Sequence, residues 1–130
     1  MPFDRYRVIV TLYMALILAL SSIPGATGSG PPAGPAAWIP PILSNALHVP
    51  VYAGLAWLWA WTLRYSARMQ ARRAALIALG VTAAFGGLDE LDQGLIPGRT
   101  TALGDWLADA GGAALGCLVS LRMHSWVSQR

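Results

Sequence analysis

Apolar residues are concentrated in four long stretches of the chain, at about residues 6–23, 46–63, 74–93 and 102–121. A helix needs roughly 20 such residues to cross the hydrocarbon core of a bilayer. The third stretch reaches that length only if its helix continues through the acidic residues at its end. Because backbone polar groups in lipid must bond within their own segment, helices are favoured over strands. The pattern therefore predicts an all-α, polytopic membrane protein with about four transmembrane helices in a single domain, residues 1–130.

The composition agrees with lipid as the surrounding medium. Of the 130 residues, 55% are hydrophobic and 12% are charged, whereas a soluble domain carries about 25% charged residues. The net charge of +3 comes from arginine, since the chain has no lysine. These arginines stand at the ends of apolar stretches and form no basic stripe. They favour a membrane-topology signal over nucleic acid as a partner.

The arginines also predict the orientation. Eight of the nine lie at the start of the first stretch, between the second and the third, or after the fourth. With four spans, all eight fall on one side, which the positive-inside rule makes cytoplasmic. Only Arg99 falls on the other side. We therefore predict a multi-pass protein of the cytoplasmic or inner membrane with both termini in the cytoplasm.

The beginning of the chain allows a second interpretation. Arg5 and Arg7 precede an apolar core and small residues follow it, as in a signal peptide, but no clean A-x-A cleavage site is present. A retained anchor is therefore favoured. Residues 24–41 are rich in Pro, Gly, Ala and Ser, which predicts either an irregular outer loop or a disordered tether.

Polar side chains recur near the outer ends of three predicted helices. His48 and Tyr52 are four residues apart, and so are Asp105 and Asp109, so each pair shares a helix face. Asp109 would lie about 10 Å along its helix, and ionisable groups at such depth usually face a bundle interior or a wet cavity. The sequence therefore predicts a shared polar site. Its candidate residues are His48, Tyr52, Asp89, Glu90, Gln93, Arg99, Asp105 and Asp109.

Each of these features also has a structural interpretation. Asp105 near a helix start interacts favourably with the helix dipole, and the acidic run around Glu90 is typical of a solvated helix end. A lone histidine such as His48 is more often hydrogen-bonded than catalytic or metal-ligating. Arg99 either neutralises the neighbouring acids or holds a phosphate or carboxylate.

Small residues predict where helices approach each other closely. Gly112 and Gly116 have GxxxG spacing on the fourth helix, and the third helix carries Gly80, Gly86 and Gly87. The favoured interpretation is packing of the third helix against the fourth. A dimer face is the alternative, and the sequence leaves the oligomeric state open.

In combination, these residues and their spacing resemble the VanZ family. The shared pattern is a histidine and a tyrosine on one helix, DE-x-x-Q, a P-G-R turn, an aspartate six residues after the arginine, a further acidic or amide residue and a glycine-rich helix. In this chain the pattern covers residues 45–116. Its members are His48, Tyr52, Asp89, Glu90, Gln93, Pro97, Gly98, Arg99, Asp105, Asp109, Gly112 and Gly116. The chain departs from the family at Asn45, where relatives often have lysine.

The resemblance implies a VanZ-like membrane protein of the cell envelope. The family's namesake is associated with resistance to the glycopeptide antibiotic teicoplanin, so antibiotic resistance is an implied role. The implied ligand is the acylated glycopeptide or a lipid-linked cell-wall precursor.

Three functions are compatible with the residues. The first is a site at the outer face of the membrane that binds or modifies an amphipathic ligand. In this site Arg99 would hold an anionic group. Its carboxylates would shape the pocket or bind a hard cation such as magnesium, and they are Asp89, Glu90 and Asp105. The second is an enzyme in which His48 acts as acid or base, although GxSxG, HExxH and CxxC motifs are absent. The third is a structural network that holds the helices in register.

Overall fold

The computed structural model describes residues 4–22, 41–96 and 103–127. This part of the chain forms four α-helices, α1 (Arg5–Ser21), α2 (Pro41–Tyr65), α3 (Ala71–Gly94) and α4 (Leu103–Val127), and contains no strand. The prediction of an all-α chain with four helices is confirmed at this level. The expectations for residues 24–40 and for the Pro97–Gly98–Arg99 turn fall outside the described residues, as does the side chain of Asn45.

Two helices extend five or more residues beyond the predicted bounds. α2 begins at Pro41, five residues before the predicted start, and α4 continues to Val127, six residues past the predicted end. Proline is tolerated in the first turn of a helix because its missing N–H would have no partner there. A segment that reads as the end of a loop therefore begins a helix instead.

The helices run alternately up and down. Tyr6 near the start of α1 stacks on Tyr65 at the end of α2, with 6.1 Å between ring centroids. Ser21 at the end of α1 is hydrogen-bonded to Asp89 near the end of α3. Nη2 of Arg64, near the end of α2, lies 2.7 Å from Nδ1 of His124, near the end of α4. α1 and α3 therefore run in one direction, and α2 and α4 in the other.

This topology separates the charges into two ends. We call the first the arginine end, which holds Arg5, Arg7, Arg64, Arg68, Arg72, Arg73 and Arg122. We call the opposite end the carboxylate end, which holds Asp89, Glu90, Asp92, Asp105 and Asp109. Every arginine in the described residues lies at the first end, and five of the six acidic residues of the sequence lie at the second.

Small residues form the centre of the bundle, where α2 packs most extensively against α4. The central cluster consists of Ala56, Ala60, Ala75, Ala78, Ala113 and Cys117. Gly112 and Gly116 lie against the backbone of α2, and a Cβ at Gly116 would be 2.8 Å from the carbonyl carbon of Ala53. The partner of the GxxxG pair is therefore α2, although α3 and α4, whose mutual packing the small residues predict, are also in contact. Side chains at these two positions would hold the backbones apart.

Contacts between α3 and α4 come from other residues. The indole N–H of Trp106 donates to the Ala83 carbonyl oxygen at 3.0 Å. The Cys117 thiol donates to the Ala75 carbonyl oxygen at 3.1 Å. Gly86 lies beside Asp109. The glycine-bearing segments of α3 and α4 do meet, as the sequence predicts, but through the glycines of α3.

Large apolar side chains lie mostly on the outside of the bundle. Among the described residues, thirteen leucines are exposed and one, Leu55, is fully buried. The buried set, by contrast, includes Asp89, Glu90, Gln93 and Asp109. A soluble bundle has the opposite arrangement, because burial of large apolar side chains is the main driving force for its folding.

One described helix, α3, is long and apolar enough to cross a membrane by length and composition alone. A single helix of this kind is weak evidence, because the core helix of a soluble protein passes the same test. The finding therefore falls short of the four spans that the apolar stretches predict.

Candidate functional site

Three helices carry polar side chains to a similar level near the carboxylate end. His48 is seven residues from the start of α2, Asp109 is six from the start of α4, and Asp89 is five from the end of α3. At 1.5 Å per residue these positions lie about 7–11 Å from their helix ends. Because α3 is antiparallel to α2 and α4, all three meet at one level inside the bundle.

Asp89 is the centre of one group of hydrogen bonds. Its Oδ2 accepts from the Tyr52 hydroxyl at 3.0 Å and from the Gln93 amide at 3.0 Å. Its Oδ1 accepts from the Ser21 hydroxyl at 2.5 Å. Asp89 is 1% exposed. Water therefore does not reach its carboxylate, and the three protein donors satisfy it instead. Asp89 thereby ties α1 and α2 to α3.

Asp109 is the centre of a second group. Its Oδ1 lies 2.8 Å from Nδ1 of His48, and the two side chains are 0% and 14% exposed. Its Oδ2 is buried and has no hydrogen-bond partner within the part of the chain that the structure describes. An unsatisfied buried oxygen costs about 1–3 kcal/mol, more when it is charged. Asp109 thus differs from Asp89 in having one oxygen that the described protein groups do not satisfy.

Tyr52 and Gly86 connect the two groups. The Tyr52 ring is parallel to the His48 imidazole within 3°, with 6.1 Å between ring centroids. A Cβ on Gly86 would be 3.0 Å from Asp109 Oδ2 and 3.2 Å from Cε1 of Tyr52. Gly86 therefore leaves the room in which the Asp109 carboxylate and the Tyr52 ring both fit.

Glu90 adds a further carboxylate to the second group. His48, Glu90 and Asp109 each offer one potential ligand atom, and these atoms lie within 4.8 Å of one another. Glu90 is 6% exposed. Asp89 and Asp105, which the sequence analysis grouped with Glu90 as a cation site, are not members of this cluster. Asp89 is instead engaged by its three donors.

The described arginines do not reach the Asp109 group. Arg64 and His48 are sixteen residues apart on the same helix, which corresponds to about 24 Å. Ion pairs with these arginines therefore do not account for the burial of Asp109. Arg99, the cation that the sequence analysis assigned to the site, lies outside the described residues.

The structure brings most of the sequence-predicted site residues together. The residues that meet in the two groups are His48, Tyr52, Asp89, Glu90, Gln93 and Asp109. Asp105 is buried one turn before Asp109 on α4. Ser21 was not predictable as a member of the site, because a serine at the end of an apolar stretch marks a helix boundary and carries no spacing that links it to Asp89.

The fold and the site define an all-α bundle with a buried histidine–carboxylate cluster at one end and arginines at the other. No family model, curated protein or solved structure matches the chain. The resemblance to the VanZ family therefore stays a prediction that rests on the motif residues.

Proposed function

We propose that this chain is a VanZ-like integral membrane protein whose polar site, at the outer face of the cytoplasmic membrane, binds or modifies an amphipathic or lipid-linked envelope ligand. The observation that carries the proposal is the burial of Asp89, Glu90 and Asp109 inside a bundle with a leucine-rich surface. Lipid is the medium in which such a distribution is stable, since intramembrane ionisable groups face the bundle interior and exposed apolar side chains then incur no cost.

Helix length supports four spans. α2, α3 and α4 have 25, 24 and 25 residues, which gives each about 36–38 Å. α1 has 17 residues, or about 26 Å, close to the roughly 30 Å of a hydrocarbon core. The exposed leucines occur mainly on α1, α3 and α4, whereas Leu47 is the one exposed leucine among the described residues of α2. α1, α3 and α4 therefore each have a face suited to lipid.

The charge separation supports the orientation. Cytoplasmic loops of membrane proteins carry an excess of arginine and lysine, and the described arginines all lie at one end of the bundle. That end faces the cytoplasm in the proposal, together with both termini. The carboxylate end then faces the exterior.

The depth of the site suits a ligand anchored in the outer leaflet. Side chains about 7–11 Å from the helix ends lie near the boundary between headgroups and acyl chains. A ligand with an apolar tail could keep that tail among the exposed leucines while its polar part reaches His48 and Asp109. Arg99 is the proposed contact for an anionic group on such a ligand. The acylated glycopeptide teicoplanin and lipid-linked cell-wall precursors both have this chemistry.

An enzyme is a second candidate, and the His48–Asp109 contact favours it. A carboxylate that holds a histidine at 2.8 Å fixes its orientation and tautomer, as in acid–base catalysis. In an enzyme of this kind His48 would transfer the proton and Asp109 would position it. A purely structural network is the third candidate, and the three hydrogen bonds to Asp89 favour it.

Topology is tested by labelling introduced cysteines. Gln70→Cys lies at the arginine end and Asp92→Cys at the carboxylate end, and both positions are exposed. Each is made in a Cys117→Ser background. In intact cells, a membrane-impermeant maleimide should label Asp92→Cys, whereas Gln70→Cys should react only after the membrane is broken. The opposite pattern, or recovery of the chain in the soluble fraction, would contradict the proposal.

The site is tested by comparing carboxylates of different burial. Asp109→Asn and His48→Ala should lower teicoplanin tolerance and reduce the lipids that co-purify with the chain, as measured by mass spectrometry. Asp92→Asn is the matched control, because Asp92 is exposed at the same end of the bundle. Membrane abundance is measured in the same strains. Unchanged tolerance and unchanged lipid content in both site variants would argue for the structural network.

A further inference from the structure

We propose that His48, Glu90 and Asp109 bind one divalent transition-metal ion. The three side chains come from three different helices, α2, α3 and α4, and their potential ligand atoms lie within 4.8 Å of one another. None of them is an exposed surface group, since Asp109 is 0% and Glu90 6% exposed and the His48 side chain is 14% exposed. The cluster therefore lies inside the bundle.

A second observation points to a ligand at this place. Oδ2 of Asp109 is buried and accepts no hydrogen bond within the described residues. The neighbouring Asp89 shows that this bundle can satisfy a buried carboxylate, because it receives three donors. Nothing comparable is directed at Asp109 Oδ2. A bound cation would supply the missing positive partner for that oxygen.

Gly86 allows the Asp109 carboxylate to lie close to α3. A Cβ at that position would be 3.0 Å from Oδ2 and 3.1 Å from the Asp109 Cβ, so a larger residue would displace the carboxylate from the cluster. With glycine, α3 presents no side chain there.

The donor set selects the class of metal. One imidazole nitrogen and two carboxylates suit Zn²⁺, Mn²⁺ or Fe²⁺ better than Mg²⁺, which prefers oxygen ligands and retains several waters. Three protein ligands also leave at least one coordination position open, as in catalytic rather than structural zinc sites. This assignment replaces the magnesium site that the sequence suggests for Asp89, Glu90 and Asp105.

The side chains must move together to hold an ion. With bonds of about 2.1 Å, two ligands of a tetrahedral ion lie about 3.4 Å apart. Potential ligand atoms that lie within 4.8 Å of one another therefore each move by at most about 0.7 Å, which rotation of the side chains can supply.

The role of the ion rests on the proposed function. In that role, a phosphate or carboxylate of the envelope ligand would bind at the open coordination position of the ion. Binding of the ion itself is a separate measurement. Cobalt is a suitable probe, because Co²⁺ accepts zinc-type ligands and its visible absorption reports coordination.

The test uses the full chain, purified in detergent with a tag that lacks histidine and stripped with a chelator. Titration with Co²⁺ should give one equivalent per chain with a saturable visible spectrum. Asp109→Asn and Glu90→Gln should each weaken binding by at least about tenfold. The matched control Asp92→Asn, an exposed carboxylate two residues from Glu90, should bind as the parent does. Circular dichroism and gel filtration check that each variant is folded, and His48→Gln replaces any variant that is not.

Absence of stoichiometric binding by the parent protein would overturn the inference, as would equal binding by the parent and both site variants. An equal loss in the Asp92→Asn control would indicate non-specific binding and would also overturn it. Stoichiometric Co²⁺ binding combined with unchanged teicoplanin tolerance in Asp109→Asn would uphold the metal site and reject the envelope ligand. If the chain binds no metal but teicoplanin tolerance depends on Asp109, the envelope ligand is upheld and the metal site is rejected.

Discussion

The close contact between α2 and α4 can be tested with two adjacent glycines. Gly111 and Gly112 lie next to each other on α4, but a Cβ on Gly111 would meet nothing within 4 Å, whereas a Cβ on Gly112 would lie against the Val49 backbone, 3.1 Å from its Cα. Alanine exceeds glycine in helix propensity by about 1 kcal/mol, a gain that both substitutions share. Gly112→Ala also forces the helices apart by about half an ångström to one ångström, since ordinary carbon contacts are about 3.5–4.0 Å. Overpacking of this kind costs about 1–3 kcal/mol.

The expected result is that Gly111→Ala is as stable as the parent or more so, and that Gly112→Ala is about 1–3 kcal/mol less stable than Gly111→Ala. Unfolding in mixed micelles with increasing SDS, followed by tryptophan fluorescence, measures this difference directly. The six tryptophans of the chain provide the signal. Equal stability of the two variants would refute the α2–α4 contact. A loss of stability in Gly111→Ala alone would mean that α2 packs on the face of α4 that carries Gly111, which would contradict the structure.

Further predictions concern the buried polar end and the core. Tyr52→Phe removes one donor to Asp89 and should lower the free energy of unfolding by about 1–2 kcal/mol in the same SDS assay, while the exposed Tyr65→Phe should change it little. Gly86→Val places a side chain against Asp109 and should reduce Co²⁺ affinity by at least about tenfold. An added Cβ at Gly80 would meet nothing within 4 Å, so Gly80→Val should leave the affinity unchanged. Equal effects of the two substitutions would contradict the role of Gly86. Cys117 is buried and should react with a maleimide far more slowly in the folded protein than in SDS, as a mass-shift assay would show, and rapid labelling of the folded chain would place it outside the core.

The helices were predictable because each is a long apolar stretch, and an apolar run of this length favours a helix over a strand. Their ends were less predictable. Hydropathy marks where a chain leaves an apolar medium, whereas a helix ends where its backbone hydrogen bonds end. α4 therefore continues past Arg122 to Val127, and α2 begins at Pro41 rather than at Ala46.

The candidate site was predictable in part for a geometric reason. Spacings of four residues put His48 and Tyr52 on one face, and likewise Asp89 and Gln93, so membership of the cluster follows from the sequence. The partners do not, because each pair joins different helices. That Tyr52 donates to Asp89 and His48 contacts Asp109 depends on how α2 is rotated. That rotation is set by Gly112 and Gly116, whose partner helix the sequence does not specify.

The two buried aspartates differ in how fully the described residues satisfy their oxygens. Asp89 receives all its donors from this chain, so its contribution is complete once the helices have assembled, and it needs no ligand. Asp109 has one oxygen paired with a histidine and one unsatisfied within the described residues, so its burial costs free energy that assembly alone does not recover. Loss of the Asp89 contacts should therefore reduce stability in every condition. Loss of the Asp109 carboxylate should matter mainly when a cation or ligand is present. In its absence Asp109→Asn should destabilise the protein less than Asp89→Asn, because Asp109 has one described polar partner and Asp89 has three. If Asp109→Asn and Asp89→Asn destabilise the ligand-free protein equally, the distinction between a supporting and a binding carboxylate is wrong.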